Sequence, residues 1–433
     1  MSTRKPIDRA RGLVSNSVDS PVAISGLGLV TSLGRNFSET FDNLCAGKSG
    51  LVESDSSRTR PDKASRLRSF GFPVDPSFQR VDDFWDDPVF AILAKSLEEA
   101  IEQARIDFSC FDPERIAVVV GLSKGAVRLK SHWSENRDSM SSHPLARTLG
   151  LAGVAPSSGA SFVASKIGAR GPVLAPITAC ATGLTCLRVA AGLLRDGSCD
   201  IAIAGAADAS LTPMIEASFR RMKALATPLD ESDPPEAWVR PWSANRNGFL
   251  IGEGGAIFVL ERECDLKASG RCAVARITGC AAGSEAHHAT RPHASPAVLE
   301  RVIRETIGVH GKIPDAIHLH ATGTRDFDAL EATAIRQAIG PEHERIRMLA
   351  SKSQIGHCLG AAGAVELAIA CGSLFRGILP PFVPRPPFDF EHPGNPVGPE
   401  SIATPTLSIM KLVAGFGGHI EACHLVAAAK SHS

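Results

Sequence analysis

The chain has 433 residues, 44% hydrophobic and 21% charged, which is enough to bury a large core and to form two or three domains or a duplicated one. Lys plus Arg and Asp plus Glu each number 46, so no global field favours nucleic acid, and a charged partner must meet a local patch. Eleven cysteines without a C-x-x-C pair argue against a zinc ribbon or a disulfide framework and indicate a reducing, cytoplasmic compartment.

Residues 1–20 carry early basic residues with no apolar run behind them, so a disordered lead-in is expected rather than a signal peptide. "PVAISGLG" (21–28) reads as a strand and "SETFDNLCAG" after it as an amphipathic helix. "GLGLVTSLG" near residue 26 lacks the third glycine of a dinucleotide fingerprint and reads as a turn. The helical "AKSLEEAIEQAR" precedes the strand "RIAVVVGLSKG" (115–125). That strand ends in the G-x-S-x-G spacing of a hydrolase elbow, making Ser123 a candidate nucleophile against the competing reading of a plain glycine turn. The uncharged run 171–187 contains prolines and threonines, falls short of a membrane span, and reads as a buried strand followed by a buried helix start. "LRVAAGLLRDG" and "CDIAIAGAAD" (199–208) follow as helix and strand.

The pattern then starts again. "CAVARITGCAAG" (272–283) is similar to "PVAISGLG", and "DAIHLHATGT" (315–324) follows a helical stretch as "RIAVVVGLSKG" does. Near-continuous Val/Ile/Ala strands between helices indicate an α/β protein with covered sheets. Two similar halves are expected, 21–268 and 269–433, with the cleft between them.

Cys180, in "APITACATGLTCLRVAAGLL", is predicted at or beside a helix N-terminus. Unpaired N–H groups there favour a thiolate, and a drop of roughly one pKa unit is expected. Small neighbours leave room for substrate, whereas Cys186 fits a buried structural thiol. His320 stands at a strand end with Thr322 and Thr324 just beyond it, where open α/β sheets place ligands. In "SKSQIGHCLGAAGAVE" (351–366), Lys352 and His357 flank a glycine turn, and both need partners if buried. A metal reading of His320 and His357 lacks a third ligand, and "AHHATRPH" (286–293), with no carboxylate following, reads as a solvated loop.

Together these segments resemble the β-ketoacyl-acyl-carrier-protein synthases, the decarboxylating condensing enzymes of fatty acid and polyketide synthesis. The resemblance spans about residues 20 to 428. It rests on "TACATG" around Cys180, "HATGT" (320–324), "SKSQIGHCLGAAGAVE" and "GFGG" (415–418), in the family's order, with "PWSANRNGFLIGEGG" (241–255) as a further match. It implies an α/β thiolase-like fold, two βαβαβαββ halves forming five αβαβα layers, usually as a homodimer. It implies Cys180 as the acylated nucleophile, and His320 and His357 as the pair driving malonyl decarboxylation. Lys352 matches the family's lysine and Glu331 the glutamate that usually pairs with it. Thr322 and Thr324 match the threonines holding the pantetheine arm, and Phe416 the gating phenylalanine whose N–H completes an oxyanion hole with that of Cys180. No metal or redox cofactor is implied, because substrates arrive as phosphopantetheine thioesters on an acyl carrier protein. Carriers are acidic as a class, and Arg220, Arg221 and Lys223 in "SFRRMKAL" form a candidate docking patch, Lys223 at a matching position.

The sequence also departs from the family pattern. Ala321 replaces a glycine, Ala414 stands where a phenylalanine is common on the substrate pocket wall, and His419 and Ile420 replace a Thr-Asn pair. Ser243 and Asn247 replace two aspartates. An unusual acyl substrate is therefore expected. The alternative is a non-condensing, chain-length-factor-like half of a heterodimer; such subunits generally lose the cysteine, which is present here.

Overall fold

A computed structural model describes residues 21–54, 69–78, 81, 85, 87–135, 153–230 and 232–428. The expected lead-in, 1–20, lies outside them.

One half of the main sheet is built from β1 (Val22–Thr31), β2 (Ile116–Gly121), β3 (Val173–Leu174), β4 (Ile201–Asp208) and β5 (Gly254–Arg262). The other half is built from β6 (Ala275–Ser284), β7 (Ala316–His318), β8 (Arg347–Leu349), β9 (Asn395–Pro396), β10 (Ser408–Gly415) and β11 (His419–Ala427). The strand order is β9-β8-β7-β10-β11-β6-β1-β5-β4-β2-β3. Outward from β1, the pairings to β5, β4, β2 and β3 run antiparallel, antiparallel, parallel, parallel. Outward from β6, those to β11, β10, β7 and β8 repeat that series. The duplication is therefore in the pairing itself. β1 and β6 join the halves through only three residue pairs, Val22–Ile24 against Ala275–Ile277.

Helix α1 (Pro88–Ala104) packs on β1 and β5, and α4 (Ala297–His310) packs on β6 and β11, forming the outer layers. Between the sheet halves lie α2 (Thr182–Arg195) and α6 (Ala362–Arg376), each touching strands of both. These are the five layers of the thiolase-like α/β fold. α6 explains an ambiguous signal: residues Leu359–Arg376 are long and apolar enough to cross a membrane, yet 89% of that stretch is buried in protein. It is a core helix.

Glycines set how closely these layers approach. A Cβ on Gly183 of α2 would lie 2.6 Å from the Ala364 nitrogen of α6, and one on Gly363 2.9 Å from the Leu184 nitrogen. The two central helices thus cross at their first turns, backbone against backbone. That crossing brings together the loops that precede them.

Two expectations need correction. "GLGLVTSLG" is not a turn at its start, because residues 26–31 continue the fully buried β1. A Cβ on Gly26 or Gly28 would come within 2.1 Å of the Ala100 carbonyl or 2.0 Å of the Ser96 carbonyl in α1, so these glycines admit a helix rather than turn the chain. The run 171–187 does not begin as a buried strand. β3 has two residues, Val173 and Leu174, exposed to 39% and 40%, because it is the outermost strand of its half.

Candidate active site

A cavity of about 1020 Å³ has Cys180, His320 and His357 on its wall, together with Thr322, Thr324 and Phe416. A second cavity, about 810 Å³, is lined by residues such as Arg35 and Arg128, and among the described residues no cysteine or histidine faces it.

Cys180 sits in the 3-10 turn Ala179–Ala181, immediately before α2. Ala179 holds φ at 49°, a left-handed conformation that costs a non-glycine residue about 1–2 kcal/mol. Thr182 secures the turn: its hydroxyl accepts the Thr178 N–H (3.0 Å) and donates to the Ala179 carbonyl (2.7 Å). The expected acidification of the thiol is not what this environment gives. Burial pushes it up to about 11, against the opposing pull of Lys124, Lys352 and the Phe416 N–H and with a further push from Asp208. Cys180 keeps intermediate exposure because the cavity opens on it, yet the protein around it leaves the sulfur poorly hydrated. Desolvation outweighs the weak helix-end field. Cys186 is fully buried, as expected.

Gly415 sets where the Phe416 amide lies. A Cβ there would lie 2.4 Å from the Thr178 carbonyl, 3.1 Å from the Cys180 nitrogen and 3.2 Å from the Ala181 nitrogen. Only glycine lets the end of β10 press against the Cys180 turn and aim the next amide, that of Phe416, at the sulfur.

His320 follows β7 by two residues, and His357 follows the single helical turn Lys352–Ile355. Their rings lie 5.5 Å apart at 82°. Phe327 meets His320 edge-on at 5.2 Å, and Phe249 meets His357 at 4.8 Å. Burial, then the Lys352 charge, hold both well below the usual histidine range, so both imidazoles are neutral. Each Nδ1 is buried with no hydrogen-bond partner among the described residues.

The pairing expected for Lys352 is corrected. Its Nζ donates to Glu366 Oε1 and to the His320 carbonyl, both at 2.5 Å, and Lys411 lies 2.5 Å from the other Glu366 oxygen. Glu331 instead accepts the N–H groups of His320 (2.6 Å) and Ala321 (2.9 Å). Neither Lys352 nor Glu331 lines the cavity; both lie behind His320. Burial alone would raise Glu366, but Lys352 and Lys411 outweigh it and hold the carboxyl at about 2. Glu366 closes "SKSQIGHCLGAAGAVE" at the end of a small, apolar stretch. Lys411 lay outside every motif, its one signal being a lone cation inside the apolar "SIMKLVAG".

Ser123 is not a hydrolase nucleophile. Its hydroxyl donates to Asp208 Oδ2 (3.0 Å) and accepts from Lys124 Nζ (2.7 Å), while Lys124 pairs with the same carboxylate at 2.6 Å. Among the described residues no histidine bonds it, and the lysine is committed to an ion pair. "AHHATRPH" is a largely exposed loop in which His288 Nδ1 accepts the Thr290 N–H (3.0 Å). Among the described residues no three His, Cys, Asp or Glu side chains converge as a metal site.

Arg220, Arg221 and Lys223 lie on the cavity rim, at and just after α3 (Pro213–Arg221), with Arg291 and Arg325 on other parts of it. Arg220 is offset by Glu216, 2.5 Å away. Thr322 and Thr324 share a hydroxyl contact of 3.0 Å, and Ala414 and Ile420 form part of the wall.

A half-buried, poorly hydrated cysteine at a helix start, two neutral imidazoles and an amide aimed at the sulfur, at the junction of a duplicated α/β fold, define a thiol-dependent acyltransferase of the condensing type. Residues 19–265 match the N-terminal domain of β-ketoacyl synthases and residues 274–385 the C-terminal domain, so the chain belongs to the β-ketoacyl synthase family. The 3-oxoacyl-[acyl-carrier-protein] synthase 2 of Coxiella burnetii is 30% identical over 378 residues, 84% of this chain and 87% of that protein. The tetracenomycin polyketide synthase ketoacyl synthase alpha subunit of Streptomyces glaucescens is 28% identical over 425 residues, 95% of this chain and 98% of that protein. Among solved structures, a type II polyketide synthase acyl-carrier protein in complex with its ketosynthase bound to the hexaketide superimposes with a TM-score of 0.82, at 25% identity, over 94% of this chain and 100% of the other. The ishigamide ketosynthase/chain length factor superimposes equally well, with a TM-score of 0.82 at 23% identity, over 94% and 99% of the two chains.

Proposed function

We propose that this chain takes an acyl group from a carrier-protein thioester onto Cys180 and condenses it with a malonyl-carrier thioester. In the first step the Cys180 sulfur attacks the acyl carbonyl, its proton passes to a neutral imidazole on the cavity wall, and the carrier thiol leaves with a proton. In the second, the malonyl thioester loses carbon dioxide, and hydrogen bonds from His320 and His357 hold the resulting enolate oxygen. The enolate carbon then attacks the acyl-cysteine, the Cys180 and Phe416 amides stabilise the tetrahedral oxyanion, and the Cys180 thiolate departs, leaving a β-ketoacyl-carrier. The carrying observation is that the thiol and both neutral imidazoles share one cavity wall.

Thr322 and Thr324 receive the pantetheine arm in this reading, and Arg221 and Lys223, with Arg220 partly neutralised, receive an acidic acyl carrier protein on the rim. Ala414 and Ile420 shape the acyl pocket for a substrate other than the ordinary saturated chain. Apolar Val173, Leu174 and Ile177, exposed at and beside the edge strand β3, support pairing with a second copy or a related subunit in a cytoplasmic enzyme. No metal or redox cofactor enters this chemistry. The non-condensing reading is less favoured, because it gives no use to the thiol.

The test is intact-protein mass spectrometry after incubation with a panel of acyl-carrier thioesters, followed by malonyl-carrier. The expected result is an adduct on Cys180 that malonyl-carrier discharges. No adduct from any chain, with Cys180 still open to iodoacetamide, overturns it for the isolated chain.

A further inference from the structure

Behind the cavity, three ionisable side chains grip consecutive backbone groups of the segment that carries His320. Lys411 Nζ donates to the Leu319 carbonyl (2.8 Å), Lys352 Nζ to the His320 carbonyl (2.5 Å), and Glu331 accepts the N–H groups of His320 (2.6 Å) and Ala321 (2.9 Å). All three side chains are fully buried. The segment needs holding, because Ala321 sits at φ 42°. His320 receives no orienting bond at Nδ1 from the described residues, so its aim depends on where this backbone puts it and on Phe327 beside the ring.

Lys411 reaches this clamp from an independent element. It lies on β10, in register with His318 of the parallel β7. Glu366 from α6 bridges it to Lys352, with 2.5 Å to each ammonium. The groups that face Lys411 are Glu366 from α6, Lys352 from the short turn, Glu331 from α5 (Arg325–Ile339) and His318 from β7. Counting ionised forms, Lys352 and Lys411 together balance Glu366 and Glu331. With Lys411 removed, two carboxylates and one ammonium remain beneath the imidazoles.

We propose that Lys411 is a second positioning lysine of the condensing site: it completes the backbone clamp on Leu319–Ala321 and balances the buried carboxylate charge, so that His320 and His357 stay aimed and uncharged for the decarboxylation step. This rests on the condensing reading above. It explains why a lysine is buried in an apolar strand. It also separates the two half-reactions, because Lys124, Lys352 and Asp208 are the charged side chains acting on Cys180.

The test compares two rates in native enzyme, Lys411→Met and Lys411→Arg: acylation of Cys180 from an acyl-carrier, and decarboxylation of malonyl-carrier between pH 5 and 9.5. In Lys411→Met, decarboxylation is expected to fall at least about tenfold, and its acid limb to move to higher pH because the imidazoles protonate more readily. Acylation is expected to stay within about threefold, and Lys411→Arg to restore the acid limb. A Lys411→Met enzyme with unchanged decarboxylation, or with both rates falling together and the acid limb unmoved, overturns the proposal. Should Lys411→Met not fold, Lys411→Gln decides, because it keeps a donor for the Leu319 carbonyl and loses the charge: its acid limb should move to higher pH, and an unmoved limb overturns the charge role. Native enzyme that never decarboxylates malonyl-carrier instead refutes the condensing reading itself.

Discussion

The Glu331 carboxylate accepts the Ala321 N–H at 2.9 Å and so holds an alanine at φ 42°, where the resembling family carries glycine. Strained non-glycine residues recur at the other turns around the cavity: Ala179 (φ 49°) precedes Cys180, and Leu359 (φ 44°) comes two residues after His357. Left-handed alanine costs about 1–2 kcal/mol, while glycine gives back about 0.5–1 kcal/mol in chain entropy. Ala321→Gly is therefore expected to keep condensing activity and to melt at or above the native Tm. Ala321→Val, β-branched in the same conformation, should lower both Tm and activity. Calorimetry with a condensation assay reads both, and a clearly lower Tm for the glycine variant would refute the strain.

The Cys180 thiol lies at about 11, so alkylation of the substrate-free enzyme by iodoacetamide should keep accelerating beyond pH 9. Lys124 opposes the rise, and Lys124→Met should slow alkylation at pH 8 by up to about tenfold, one pKa unit of thiolate. A plateau below pH 8 would contradict the dominance of burial.

Gly415→Ala puts a methyl 2.4 Å from the Thr178 carbonyl and 3.1 Å from the Cys180 nitrogen. The turn or the Phe416 amide must shift. Loss of one oxyanion donor costs on the order of 10²–10³ in rate, and condensation should fall by that much. Decarboxylation of malonyl-carrier, which uses the imidazoles, should fall far less. Equal losses would mean that the whole site has collapsed.

Charge reversal at the rim should separate carrier from small substrate. Arg221→Glu and Lys223→Glu are each expected to raise the carrier KM about tenfold at low salt while leaving cleavage of a small acyl thioester unchanged. Arg220→Glu should do less, since Glu216 already offsets that charge. Equal effects on both substrates would remove the patch from the docking surface.

Much of the site was legible because its parts are local. Cys180 before a helix, His320 after a strand and His357 after a glycine turn each follow from a stretch of about ten residues. What the sequence misjudged were relations between segments. The family resemblance pairs Lys352 with Glu331, yet Lys352 bonds Glu366, which α6 carries behind the same cavity. The glycines of β1 read as a turn because the partner that needs them, α1, lies some seventy residues away.

By itself the sequence determined the alternation of strands and helices, the repeat, and the placement of Cys180 before a helix, His320 after a strand and His357 after a glycine turn, since each depends on residue type and near-neighbour spacing. Only the tertiary structure decided the protonation state of the thiol, the partners of the buried lysines and the place of Lys411. Those depend on desolvation and on charges a few ångströms apart in space yet tens of residues apart in the chain, which no local pattern encodes.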